Sequence, residues 1–509
     1  MRTKKALYNI IAQMSYEIVA MICGLILPRF ILAAFGSSYN GMISSITQFL
    51  DYISILTLGI SGSTRVAIYK ANASGGIKEV SAVLKATELY MRKVAIAFIV
   101  YMLALTMVYP YIVRNDFSWA ESASLVVIIG IGTFAEYFFG ITYKTFLMAN
   151  QSMYIYNIIQ IFSKIANTIV SILLINAGQS IQIVKLGSAI CFAATPIALN
   201  YIVRKKYHII SNIEPDGSAL KQRGDVMAHS IANCVHQYTD VFLLTLFTSP
   251  QLVSVYSVYT LILGSLRKLQ NVFTSGLEGA YGDLWAKGEI KKFEENFNTF
   301  EYLIFSFVSV VFSSAAVLIL PFVQIYTRGV NDTEYILPVF AGLSIVAYAV
   351  FCLRAPYLTA VQAAGKYKET RNGAFVEAGL NFVISFITVF KFGLIGVTLG
   401  TLAANVFRTI QYAVFISQKM LPQRSIWKFI KRCGWLVTNV IVINMILKII
   451  PYGDILNWSQ WIAVGICDFA VAMAVTGIMS VIFYRKDLFK AFNLSLIHIS
   501  EPTRHLRIS

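Results

Sequence analysis

Apolar runs of about twenty residues fill the chain from end to end, and charged residues collect in the short gaps between them. The runs cover 7–33, 39–62, 90–113, 122–147, 154–176 and 182–203. A second series covers 227–247, 253–276, 299–325, 335–359, 373–391, 394–416, 433–451 and 460–484. About 20 helical residues span a hydrocarbon core of ~30 Å, and lipid leaves every backbone N–H and C=O to be satisfied within the segment. The pattern therefore predicts an all-α, polytopic membrane protein with about 14 transmembrane helices. A mean hydropathy of +0.66, with 57% hydrophobic and 13% charged residues, leaves no room for a large water-soluble domain.

The gaps alternate in charge. Arg2, Lys4, Lys5, Arg65, Lys70, Arg204, Lys205, Lys206, Lys287, Lys291, Lys292, Lys366, Lys368, Arg371, Lys419 and Arg424 fall on one side; the other side holds little beyond Arg114, Arg328, Lys391 and Lys448. The positive-inside rule then places both termini in the cytoplasm and requires an even number of spans, since one more or fewer would invert every later gap. The net charge of +17 reads as basic loops facing an anionic inner leaflet, with no nucleic-acid partner needed. The first run is too long for a signal peptide and lacks a small-residue cleavage site. Cys23, Cys191, Cys234, Cys352, Cys433 and Cys467 lie within or at the ends of apolar runs without a CxxC pair, so they read as small buried hydrophobes, not as a disulfide framework or a zinc site.

The two series echo each other. Gly75-Gly-Ile-Lys-Glu79 parallels Gly288-Glu-Ile-Lys-Lys292, Pro110 parallels Pro321, and Asn167 and Asn381 each follow Ala149-Asn-Gln or Ala363-Ala-Gly by about seventeen residues. Six spans plus six, starting from the same side, are parallel repeats, which predict two six-helix bundles related by a pseudo-twofold along the membrane normal. The expected division is a bundle at 1–203, a cytoplasmic linker at 204–226 carrying Pro215-Asp216-Gly217, a bundle at 227–417, and two additional transmembrane helices at 418–490. The tail at 491–509 resembles translated sequencing-adapter read-through and is excluded from functional reasoning.

Within the apolar runs, polar residues recur at three and four positions. Asn157, Gln160, Lys164, Asn167 and Ser171 share one helical face, and so do His229, Asn233, His236 and Asp240. A charge at the bilayer centre costs at least about 2.5–3.5 kcal/mol on insertion scales, so several on separate helices predict a shared hydrated cavity or interhelical pairing. Lys164, Arg29 and Arg354 are candidate cationic contacts for an anionic headgroup, with Asn157, Gln160 and Asn167 beside Lys164 as polar contacts. Arg29 and Arg354 have snorkelling to a nearby surface as the alternative, and Lys185, near the outer end of its run, reads more simply as snorkelling. Asp51, Glu136 and Asp240 are placed to carry protons or sodium, with His236 four residues before Asp240 as a relay. A metal site from His229, His236 and Asp240 is awkward, because seven residues separate the histidines. No GxxxxGK[ST], HExxH or GxSxG occurs, so the chain is expected to be no enzyme and to need no cofactor, with any pumping driven by an ion gradient or membrane potential.

Arg29-Phe-Ile-Leu-Ala-Ala-Phe-Gly36 followed by Tyr39-Asn-Gly41, Tyr238-Thr-Asp240 with Val255-Tyr-Ser257, and Glu377-Ala-Gly-Leu-Asn381 followed by Phe392-Gly-Leu-Ile-Gly396-Val-Thr-Leu-Gly400-Thr401 occur in that order. Over about residues 1–490 the chain resembles Wzx-type polysaccharide flippases of the multidrug/oligosaccharidyl-lipid/polysaccharide exporter superfamily. The resemblance implies a V-shaped cavity between two bundles, alternating access, and a polyprenyl-diphosphate-linked oligosaccharide moved across the bacterial cytoplasmic membrane for O-antigen, capsule or exopolysaccharide assembly. A polysaccharide polymerase is an implied neighbour. An ion-coupled drug or cation antiporter of the same superfamily and a lipid II flippase remain the alternatives.

Overall fold

The structure is a computed structural model that describes residues 2–57, 60–74, 76–210, 212–216, 224–275, 277–450, 453 and 455–491. Residues 217–223 of the expected linker and 492–509 of the tail lie outside the described residues, as do the side chains of His229 and Asn233. Eleven helices among the described residues are long and apolar enough to cross a membrane, and no strand occurs among them. Exposed Ile96, Val100, Leu103 and Met107 recur at helical spacing, forming a stripe suited to lipid.

The chain divides into two compact units, Met1–Ser257 with Gly329–Glu334, and Val258–Arg328 with Tyr335–Ser509. The first unit begins with α1 (Arg2–Asp51), which holds the first expected span and the first part of the second and breaks at Gly36, with φ 82° and ψ −179°. Asp332 stabilises the restart: its carboxylate accepts from the Ser37 backbone N–H at 2.7 Å and the Ser37 hydroxyl at 2.5 Å, satisfying donors that a helix start leaves open. Then come α2 (Ile60–Ser74), α3 (Ile77–Ile112), α4 (Trp119–Ala135), a π turn at Glu136–Gly140, α5 (Ile141–Ala149), α6 (Met153–Asn176), α7 (Ile181–Tyr207), α8 (Gly224–Phe247) and the first residues of α9 (Pro250–Ser275). Ser118 and Glu121 form a capping box at the start of α4, as the Ser-x-x-Glu spacing directs.

The second unit holds the rest of α9 and α10 (Leu277–Ala286), α11 (Ile290–Tyr326), α12 (Pro338–Leu353), α13 (Ala355–Ala363), α14 (Tyr367–Phe392), α15 (Leu394–Phe415), α16 (Trp427–Ile449) and α17 (Trp458–Phe483). Helices α8 and α15 fall outside the eleven. Polar residues such as Asp240 in α8, and Asn405, Arg408 and Gln411 in α15, dilute their apolar character. With α1 bent into two, these helices account for the about fourteen runs seen in the sequence.

The boundary between the compact units falls at Ser257, inside α9. The reason is packing: α8 and the start of α9 attach to α1, through Phe242 against Phe49 and through Asn40 Nδ2 donating to Ser254 Oγ at 2.8 Å. The sequence echoes have a conformational basis. Gly76 and Gly288, before α3 and α11, take φ of 81° and 70°; Gln151 and Gly365, before α6 and α14, take 52° and 68°. A left-handed residue ends a short helix and aims the next one, which is why glycine is favoured there. The short helices α2 and α10 precede these turns in both halves and carry too many polar residues to have stood out as apolar runs.

Candidate functional site

A cavity of about 710 Å³ lies within the first unit, between α1, α4, the π turn, α5, α6 and α7. Three lysines reach it from three helices: Lys144 on α5, Lys164 on α6 and Lys185 on α7. Two carboxylates, Asp51 and Glu136, line it too, with Gln160, Asn167, Tyr16 and Tyr137 among the other polar walls. At 1.5 Å per residue, Lys185 is ~6 Å from the start of α7, Lys164 ~18 Å from the end of α6, and Lys144 ~8 Å from the end of α5. Because α6 and α7 are joined at the side where α5 does not end, the lysines occupy three successive depths. Aromatic faces hold two of the ammonium groups: Lys144 Nζ is 4.9 Å from the Tyr156 ring centroid, and Lys164 Nζ is 4.8 Å from that of Phe192.

The π turn positions Glu136. A Cβ at Gly140 would lie 2.6 Å from Glu136 Oε2 and 3.0 Å from Pro196 Cβ, so the carboxylate rests where any other residue's side chain would begin. Gly140→Ala is expected to lower stability by about 1–3 kcal/mol through overpacking. Gly62→Ala, at a helical glycine with nothing within 4 Å, should be neutral or stabilising. Thermal unfolding of the two variants in one detergent checks this.

The residues singled out in the sequence separate into groups. Lys164, Gln160, Asn167, Asp51 and Glu136 come together at this cavity. Asn157 is buried and donates to Gln13 Oε1 at 2.9 Å, tying α6 to α1. Arg29 is half-buried on α1 and is not among the residues that line the cavity, although its neighbour Pro28 is. His236 and Asp240 are buried on α8, where Asp240 Oδ2 accepts from Tyr256 at 2.8 Å. Arg354 lies in the second unit, paired with Glu377 at 2.5 Å and stacked 3.9 Å over Phe351. Glu377 also meets Arg408 at 3.3 Å, so Arg354 belongs to a buried ion cluster. Among the described residues, no three His, Cys, Asp or Glu side chains gather as a metal-binding set.

The sequence reading passed over Lys144 and set Lys185 aside as snorkelling. A signal for Lys185 was available: Lys185, Ser188, Phe192 and Thr195 repeat at three and four residues, and all four line the cavity. A second, more open groove of about 540 Å³ runs along Phe139, Ile197, Asn200, Tyr201, Arg204 and Lys205 near the end of α7. Its Arg204 is committed to Glu88 at 3.1 Å and to the Tyr143 hydroxyl at 2.6 Å.

No protein-family model matches the chain, and no curated protein matches it in sequence. Solved structures do. The lipid II flippase MurJ in an inward closed conformation aligns with a TM-score of 0.69 at 15% identity, over 94% of this chain and 99% of that one. A multidrug resistance MATE family transporter of the MOP superfamily, inward-facing, aligns at 0.58 and 13% identity over 82% and 99%. The Vibrio cholerae MATE transporter VcmN aligns at 0.52 and 14% over 84% and 97%. At these identities the alignments establish a shared fold, that of the MurJ and MATE proteins.

Proposed function

We propose, on the premise of that shared fold, that the chain is a membrane transporter that flips a lipid-linked anionic headgroup by alternating access. The substrate class is a polyprenyl-diphosphate-linked oligosaccharide, carried from the cytoplasmic to the outer leaflet of a bacterial inner membrane for surface polysaccharide assembly. One observation carries the reading: three ammonium groups, Lys144, Lys164 and Lys185, face one polar cavity at successive depths. Ammonium groups in a low-dielectric surrounding attract phosphate strongly, and polar walls at Gln160 and Asn167 suit sugar hydroxyls. The polyprenyl chain stays in hydrocarbon, and no bond of the substrate breaks.

Asp51 and Glu136 favour a second reading, since a cavity with two carboxylates also suits proton- or sodium-coupled export of an organic cation. A lipid II flippase is a third, favoured by the fold shared with MurJ.

The test is flipping of a fluorescent polyprenyl-diphosphate oligosaccharide by the full chain in proteoliposomes, read by quenching of the outer leaflet. Wild type is expected to flip it. Lys164→Ala is expected to lower the rate about tenfold or more, the order that lost charged contacts to a bound group produce, without lowering the amount of protein in the membrane. Equal loss of rate and abundance would assign Lys164 to bundle stability. Transport of a cationic dye with no flipping of the diphosphate lipid would overturn the reading in favour of the antiporter, and a matching rate for lipid II alone would favour the third.

A further inference from the structure

Helix α7 presents two faces. Lys185, Ser188, Phe192 and Thr195 line the inner cavity. On another face Ile183, Leu186, Ile190, Ile197 and Tyr201 recur at three, four and seven residues, each between 41% and 65% exposed. On a helix long and apolar enough to span a membrane, such an exposed apolar stripe meets lipid. The groove of about 540 Å³ lies on this stripe. Its α7 residues, Ile197, Asn200, Tyr201, Arg204 and Lys205, follow one another at helical spacing, and Phe139 of the π turn completes it. Two helix irregularities adjoin it. The π turn and Pro196 within α7 each interrupt the regular hydrogen-bond ladder. They also pack together, since a Cβ at Gly140 would come 3.0 Å from Pro196 Cβ, and the groove begins at the next residue, Ile197.

The chemistry of the groove is graded along its length. Over ~12 Å of α7 the lining passes from Ile197 through the Asn200 amide and the Tyr201 phenol to the Arg204 guanidinium and the Lys205 ammonium, and none of its residues is acidic. Glu88 fixes Arg204 at 3.1 Å but also holds Arg92 at 3.2 Å, so two guanidinium groups share that carboxylate. Lys205 is exposed, and its Nζ lies 5.7 Å from the Tyr201 ring centroid, beside the groove. The next residue, Lys206, turns instead to the Tyr154 hydroxyl at 3.2 Å. Snorkelling accounts for a lysine near a helix end. It does not account for a concavity that runs from apolar walls to two cations.

We propose that this groove binds an anionic glycerophospholipid of the surrounding bilayer. Its phosphate meets Arg204 and Lys205, its glycerol esters meet Asn200 and Tyr201, and the start of an acyl chain meets Ile197 and Phe139. The order of polarity along the groove is that of the lipid itself. Two cations at the head favour a net negative headgroup over a zwitterionic one. The apolar end adds burial that a lipid gains and free phosphate does not. The site belongs to the lipid-facing side of α7 and does not depend on the flippase reading.

The test titrates the full chain in detergent micelles with dioleoyl phosphatidylglycerol or dioleoyl phosphatidylcholine and counts bound lipid by native mass spectrometry. The two lipids share their chains and differ in net charge. Wild type is expected to retain one phosphatidylglycerol saturably, about tenfold or more tighter than phosphatidylcholine. Lys205→Glu should remove that preference, and Ile197→Trp, which fills the apolar end, should weaken phosphatidylglycerol about tenfold. Wild-type preference in both variants overturns the proposal, because the lipid would then sit elsewhere, as in the inner cavity. Preference lost in Lys205→Glu but unchanged in Ile197→Trp would mean surface charge without a groove, and overturns it too. So does glycerol 3-phosphate competing as well as the lipid, which would mean a site for free phosphate. If one variant fails to fold, wild-type lipid affinity in the other overturns the proposal equally.

Discussion

Glu301→Ala is expected to lower the stability of the second unit by about 3–5 kcal/mol, the order found when one partner of a buried ion pair is removed. Glu301, on α11, is fully buried and so is Arg424. The Glu301 carboxylate accepts from Arg424 Nη2 at 2.6 and 2.7 Å, from Arg432 Nε at 2.7 Å, and from the Tyr357 hydroxyl. Arg432 continues to Asp487 at 2.9 Å and to the Asn298 carbonyl at 3.0 Å. Two arginines, one glutamate and one aspartate balance, so the network is neutral as a whole while holding α11, α13, α16 and the turn before α16 together. Without Glu301, two guanidinium groups lose their shared anion in a site with no access to water. The comparison is Asp283→Ala, which removes an exposed pair with Lys287 and should cost at most about 1 kcal/mol. Unfolding of both variants by fluorescence-detected size exclusion after heating decides the matter. Equal shifts would mean that the buried network contributes no more than a surface pair.

The second large effect is expected at Gly400 on α15. This helix and α14 lie so close that a Cβ on Gly400 would come within 2.7 Å of the Ser385 backbone nitrogen and 2.8 Å of the Asn381 carbonyl oxygen. One turn earlier, a Cβ on Gly396 would come 2.8 Å from the backbone nitrogen of Val389. The obstacles are backbone atoms, which move only if the helices separate. Separation would break Asn381 Nδ2 to Thr401 Oγ1 at 2.8 Å, Ser385 Oγ to the Val397 carbonyl at 3.2 Å and Thr388 Oγ1 to the Gly396 carbonyl at 2.9 Å. Each such bond in a membrane bundle averages about 0.6 kcal/mol, added to about 1–3 kcal/mol for overpacking. Gly400→Leu should therefore cost several times what Gly379→Ala costs, since Gly379 on α14 has nothing within 4 Å. Matching unfolding temperatures for the two variants would refute close packing as the role of Gly400.

This contact was legible before the fold. Gly396-Val-Thr-Leu-Gly400 has the small-xxx-small spacing that lets membrane helices approach, and Asn381 and Ser385 lie four apart on the facing run. Glu301 was not legible in the same way. Its partner Arg424 is 123 residues away in the chain, and nothing in either residue's local pattern names the other. Arg354 illustrates the same gap: as a cation in an apolar run it suited an anionic ligand, and only the folded chain placed Glu377 against it at 2.5 Å.

The membrane-spanning class, the helix count, the repeat of two halves and the polar face that carries Lys164, Gln160 and Asn167 are legible in the chain of residues alone. These follow from hydrophobic periodicity and turn chemistry, which act over a few neighbouring residues and are set by the backbone geometry of one helix. Packing of separate helices, by contrast, brings Lys144 and Lys185 to the same cavity as Lys164 and lets Asn157 tie α6 to α1. Successive helical side chains turn by about 100°, so a span's sequence indicates which of its residues share a face. Which neighbour that face meets is set by the packing of all the helices together.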